Sequence, residues 1–216
     1  MVKEKSRFVV ALDAIQKEIA PLFKSNKFAK SGRTYNRTVN DGIVHVINFQ
    51  AGEFPIGDYV IPGLRENLYG KFAINLGVFI PKLKELEYGM APKSFIKDYD
   101  CTIRARLREN PEINQDQWFD PVERETTKRT FHLIDKDGLT FLNKYSSISK
   151  IIEYYNEFKY FPSGNRLRSK LDVILIYVSI NEIDKAKLIT DELLKESDHK
   201  GFSEHVTKVA LKLGLK

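Results

Sequence analysis

Residues 69–80 read Tyr69-Gly70-Lys71-Phe72-Ala73-Ile74-Asn75-Leu76-Gly77-Val78-Phe79-Ile80, and Pro81 follows. Phe72, Ile74, Leu76, Val78 and Ile80 recur at every second position, the period at which a strand returns side chains to one face. Proline cannot donate to a sheet ladder, so Pro81 ends the run. The stretch predicts a strand with one continuous apolar face, which the rest of the fold must cover.

Working outward, Ile43-Val44-His45-Val46-Ile47-Asn48-Phe49-Gln50 is rich in β-branched residues. It follows Asn40-Asp41-Gly42, a turn signal in which glycine tolerates positive φ. Before the turn, Thr34–Thr38 reads as a strand introduced by Ser31-Gly32, so a β-hairpin is expected. A loop holding Gly52, Pro55, Gly57, Pro62 and Gly63 leads into the central run. Residues 82–100 are less regular. From Cys101, the apolar Ile103, Ala105 and Leu107 alternate with Arg104, Arg106 and Arg108, a fourth strand closed by Asn110-Pro111.

Helical spacing flanks these strands. Phe8, Leu12, Ile15, Ile19 and Leu22 make residues 5–23 amphipathic, with Pro21 confined to the last turn. From residue 121 the pattern is helical again, including residues 171–180, 183–194 and 202–213. A helix, then antiparallel strands, then helices predicts an α+β fold. The expected architecture is a mainly antiparallel four-stranded sheet with helices on one face and a C-terminal helical extension. Phe161-Pro162-Ser163-Gly164-Asn165 divides an α+β unit at 1–160 from the extension at 161–216.

Apolar residues at 42% and charged residues at 30% fit a folded chain rather than global disorder. No apolar run approaches the ~20 residues that span a bilayer, so no membrane role is expected. Met1 to Arg7 carry charge without a following apolar stretch, so no secretory signal is expected. One cysteine, Cys101, excludes an internal disulfide and cysteine-paired zinc, and suits the reducing cytoplasm. The net charge of +6 favours weak, non-specific attraction to nucleic acid or another polyanion.

Several segments together carry a resemblance. Phe28-Ala29-Lys30-Ser31-Gly32-Arg33-Thr34-Tyr35-Asn36-Arg37 is followed by Val46–Gln50, Phe72–Val78, Cys101–Leu107 and Asp116-Gln117-Trp118-Phe119. That ordered set resembles the bacterial family called domain of unknown function 4304, over roughly residues 5–160. The resemblance implies a fold and carries no mechanism or site residues. Separately, Leu171, Leu175, Tyr177, Asn181–Ala186 and Leu193-Leu194 are similar to one tetratricopeptide-like helical hairpin. A single copy makes no solenoid, and a helical layer packed on the main unit accounts for it.

Catalytic signatures are absent. The chain has no phosphate loop, no dinucleotide fingerprint and no nucleophile elbow, and its four histidines lack metal-ligand spacing. No cofactor and no metal site is expected. Cys101 opens a strand as a small core residue, and His45 falls by parity with Ile47 and Phe49 on the apolar side.

The polar residues opposite the apolar rows hold more interest. Asn48, Gln50, Asn75, Arg104 and Arg106 share one sheet face if their strands are neighbours. Two readings stand. Antiparallel sheets commonly wet one face, and such residues then serve solubility and cross-strand pairing. Alternatively, amides and guanidinium groups line a groove for an anion, with Tyr35 and Phe79 near enough to stack a base. The leading expectation is a binding or interaction module using this face for an anionic ligand or a protein partner. The alternatives are an enzyme on a phosphorylated or nucleotide substrate, clamped by Arg104 and Arg106, and a partner protein such as a toxin neutraliser.

Overall fold

The computed structural model describes residues 6–53, 67–91, 93–112 and 115–216. Helix α1, Arg7–Ser25, starts where the Ser6 side chain accepts from the Val9 amide. Its buried stripe is Leu12, Ile15, Ile19 and Phe23, and it runs through Pro21 for another turn. Five strands follow: β1 Ala29–Ser31, β2 Thr34–Thr38, β3 Val44–Ala51, β4 Phe72–Phe79 and β5 Ile103–Arg106. They form one antiparallel sheet in the order β1-β2-β3-β4-β5. The sheet has one strand more than expected. β1 is a three-residue exposed edge with no apolar period, and Gly32 at φ 60 turns it back onto β2. The β2–β3 turn uses two left-handed residues in sequence, Asp41 at φ 57 and Gly42 at φ 70. Of the loop expected between β3 and β4, Pro55, Gly57, Pro62 and Gly63 lie outside the described residues.

The helices are α2 Pro81–Tyr88, α3 Thr126–Leu133, α4 Leu139–Asn143, α5 Ile148–Phe158, α6 Arg166–Ser179, α7 Ile183–Glu196 and α8 Lys200–Lys212. A π-helical turn at Ile134–Gly138 joins α3 to α4. Ile47, Phe49, Phe72, Ile74, Leu76, Val78 and Ile103 are buried on one sheet face. They belong to one hydrophobic cluster with α1, α3, α4, α5 and the C-terminal helices as far as Leu215. The expected covered face is therefore present. The opposite face is not simply wet. Residues 93–101 run across it as a strap, and Val46, Phe79, Ile96 and Cys101 make a second, smaller apolar cluster there.

The C-terminal helices share the main cluster, and a charged clasp also fastens them to α2. Arg168 of α6 donates both ends of its guanidinium to Glu87, at 2.6 and 2.7 Å, and bonds Asp172 at 2.7 Å. His205 of α8 meets the same Glu87 at 2.9 Å. Burial alone would raise the Glu87 carboxyl, but the bonds from Arg168 and His205 hold it below its ordinary value. Burial pushes Asp172 up to about 6 against the pull of Arg168. Removing Arg168 would strand two buried carboxylates, which is why neither acid can be treated alone.

His45 is fully buried on the main face of β3, as parity requires. Its Nε2–H donates to the Tyr145 carbonyl at 3.2 Å, and Nδ1 accepts from Arg37 Nε at 3.2 Å. Arg37 reaches on to Asn143 at 2.7 Å, tying the hairpin to the end of α4. Both ring nitrogens are thus used in the neutral form. Burial, followed by the Arg37 charge, depresses the imidazole from 6.5 to about 4, although the bond to Tyr145 opposes this. Because the folded pKa is depressed, this neutral ring stabilises the fold above pH 6.5, and the contribution disappears as pH falls toward 4. Denaturant unfolding at stepped pH should show a loss on the order of 3 kcal/mol over that window. The loss should be missing from the His45→Asn profile; parallel wild-type and variant profiles would contradict the assignment.

Candidate functional site

Strand register brings the predicted polar residues together. Thr34, Asn48, Asn75 and Arg106 are direct cross-strand partners, one row spanning β2 to β5. Asn36, Val46, Gly77 and Arg104 form the next row. Gln50 lies beyond Asn48 on the same face, opposite Ala73. All five expected residues therefore share one side of the sheet.

What occupies that side differs from an open cationic groove. Asn75 is only 6% exposed, and each half of its amide is used. Its Nδ2 donates to Gln50 Oε1 at 2.9 Å and to Asp98 Oδ2 at 3.1 Å, while Oδ1 accepts from Arg106 Nε at 2.9 Å. Arg106 Nη2 donates to Gln50 Oε1 at 2.8 Å, and Nη1 pairs with Asp116. Its guanidinium centre lies 5.2 Å from the centre of the Trp118 ring system. Arg104 faces Asp98 at 3.6 Å. Asn48 donates to Thr34 Oγ1 at 2.9 Å, which Lys97 Nζ also approaches at 3.5 Å. The two arginines thus meet two aspartates from loops, and Lys97 leaves the patch with one positive charge in excess.

Local sequence explains how these aspartates arrive. The Asn36 amide accepts from the Ile96 N–H at 2.7 Å and donates to its carbonyl at 2.9 Å, pinning the strap to β2. Asp98 then opens a 3-10 turn at Asp98–Asp100, closed when Asp100 Oδ2 accepts from the Lys97 N–H. Gly77 lets the strap sit low: a Cβ there would lie 2.4 Å from Cys101 Sγ. At the other end, Phe119 exchanges both backbone bonds with Phe72, at 2.7 and 2.9 Å. That bridge extends the edge of β4 beyond β5 and, by alternation, sends Trp118 and Asp116 to the polar side.

The arrangement can hold a carboxylate or a phosphate, since a planar guanidinium offers such groups paired donors. Neither Cys101 nor His45 supplies a base or nucleophile to this face. Burial, then the charge of Asp98, pushes the Cys101 thiol well up, so it stays a neutral thiol. His45 is on the other side of the sheet. The two rings expected to stack a base do not offer open faces. Tyr35 lies in the main core, stacked 4.0 Å from Phe23 and donating to Gln16, because its register partner is Ile47. Phe79 is buried in the strap's apolar cluster. Asp98, Asp116 and Trp118 join the five expected residues. Asp116 and Trp118 belong to the family-like segment 116–119, whereas Asp98 sits where the sequence has no period. Among the described residues no cluster of histidine, cysteine, aspartate and glutamate could hold a metal ion, and no helix is long and apolar enough to cross a membrane.

These features define an α+β protein built on an antiparallel meander, with one core face and one polar, strap-covered face. The chain belongs to the family described as domain of unknown function (DUF4304), which matches residues 19–144. The matched span holds the whole sheet, the strap and the polar row, and it stops before α5. No curated protein and no solved structure matches the chain.

The seat of the strap is directly testable. Gly77→Ala should lower the unfolding free energy by about 1–3 kcal/mol, the usual cost of overpacking. Adding Cys101→Ala removes the nearest clashing atom, so the double variant should lose less than the sum of the two single losses. Strict additivity in denaturant titrations would mean that these residues do not touch.

Proposed function

We propose that this protein is a binding module whose polar sheet face receives an anionic group of a partner. One observation supports it above the others: the Arg106 guanidinium is held from behind by Asn75 and Gln50, while its outer Nη1 turns to Asp116. The Asp116 side chain is 61% exposed and belongs to a loop, whereas that of Arg106 is 21% exposed. Asp116 thus resembles an internal stand-in for a ligand carboxylate. Exchanging it for a partner's carboxylate or phosphate keeps every other bond of Arg106 intact. The arginine's rotamer entropy is already lost before binding, which favours affinity. Arg104, with its side chain 45% exposed, supplies a second cation beside the first.

A binding role also fits the chemistry around the arginines better than catalysis does. An enzyme acting on a phosphorylated substrate would need a base or nucleophile near Arg104 and Arg106; Cys101 and His45 are unsuited, and Asp98 and Asp116 are already engaged by the two arginines. Extended nucleic acid is a poorer candidate than a single acidic group, because Asp98 and Asp116 would repel a run of phosphates. The single buried thiol agrees with a reducing compartment such as the cytoplasm.

Calorimetric titration with a short peptide carrying a single glutamate tests the proposal. Asp116→Ala removes the internal competitor and should tighten binding severalfold over wild type, and the gain should shrink as salt rises. Arg106→Gln placed in the Asp116→Ala background should abolish the gain. Equal affinities with and without Arg106 would refute the proposal.

A further inference from the structure

A cavity of about 220 Å³ opens between α2 and the strap, on the same side of the sheet as the second apolar cluster. Phe79 and Ile96 are its buried apolar lining, and Tyr88, Met90 and Ala91 are exposed around it. Lys84, Lys93 and Asp100 are the charged groups that line it.

These three charges do not cancel. Asp100 accepts from Lys93 Nζ at 2.7 Å and, through its second oxygen, from the Lys97 amide. Lys84 lies with its ammonium 5.3 Å from the centre of the Tyr88 ring. Among the described residues, no carboxylate stands within ion-pair distance of Lys84. An apolar chamber with one convergent cation and an aromatic wall is the usual build of a small-ligand site. Its volume falls below the ~300–1,000 Å³ of sites for drug-sized ligands, so it suits a single ring with a short arm.

We propose that this cavity binds a small organic monocarboxylate carrying one ring, with the ring between Phe79, Ile96 and Tyr88 and the carboxylate at Lys84. The apolar lining selects the ring by burial, and the Lys84 ammonium selects the acid over a neutral isostere. The cavity is separate from the Arg106 patch and neither reading depends on the other.

Met90 gives a direct reporter, since the chain has two methionines and the other is Met1. The full-length protein is titrated with benzoate and with phenylacetate, and the methionine methyl signals are followed by NMR. At least one acid should shift the Met90 methyl saturably, with a Kd near or below ~1 mM. Benzyl alcohol should bind about tenfold more weakly, and Lys84→Gln should weaken the acid by a similar factor, as loss of one charge-assisted bond predicts. Ala91→Trp, which fills the mouth and leaves Lys84 in place, should abolish the shift while the remaining spectrum is retained. A Met90 signal unmoved by both acids at ~10 mM overturns the proposal, since a millimolar site would be about 90% filled. So does equal binding of acid and alcohol, or an undiminished shift in Lys84→Gln.

Discussion

A primary amide buried on a central strand needs partners for both of its ends, and Asn75 imposes that need on its surroundings. Water is largely excluded from it, so each unmet bond would cost on the order of 1–3 kcal/mol. Its oxygen takes Arg106 from β5, and its nitrogen takes Gln50 from β3 and Asp98 from the strap. One side chain thereby fixes the register of three strands and the position of a loop. No buried side-chain nitrogen or oxygen among the described residues is left without a partner, so the requirement is met throughout.

The rest of the polar face follows from this point. Arg106, once committed to Asn75 and Gln50, has an outer edge that must find an anion, and Asp116 supplies one from a bridge-anchored loop. Asp98, once bonded to Asn75, carries a charge that Arg104 can face. The strap is held by Asn36 and seated over Gly77, which has no Cβ to lift it. Its apolar residues seal the other end of the face and leave the cavity beside α2. In a patch organised this way Asn75 and Arg106 are each held by more than one bond.

Much of this is legible in the sequence alone. The period of two in Phe72–Ile80 marks the core strand, and parity puts Asn48, Gln50, Asn75, Arg104 and Arg106 opposite the apolar row of their own strands; that they share one face follows from the strands being neighbours. The unread parts depend on contacts between distant residues. β1 is three exposed residues with no pattern. The strap has no period, since side-chain bonds from Asn36 and Asp100 hold it rather than a ladder. Parity could also mislead. Tyr35 sits opposite Ile47 and therefore points into the core, a fact that needs the register of two strands. The Glu87–Arg168 clasp joins residues 81 positions apart. Local pattern carries no information about it.

Asn75 holds Arg106 in place in the free protein, and the arginine's own Nε–H is the most direct witness. Side-chain NMR of the free protein should show that proton as a separate, slowly exchanging signal. It should persist in Asp116→Ala, where the bond to Asn75 remains, and be lost in Asn75→Leu. An Arg106 Nε–H that exchanges as fast as those of exposed arginines, with Asn75 intact, would show that Asn75 does not hold it.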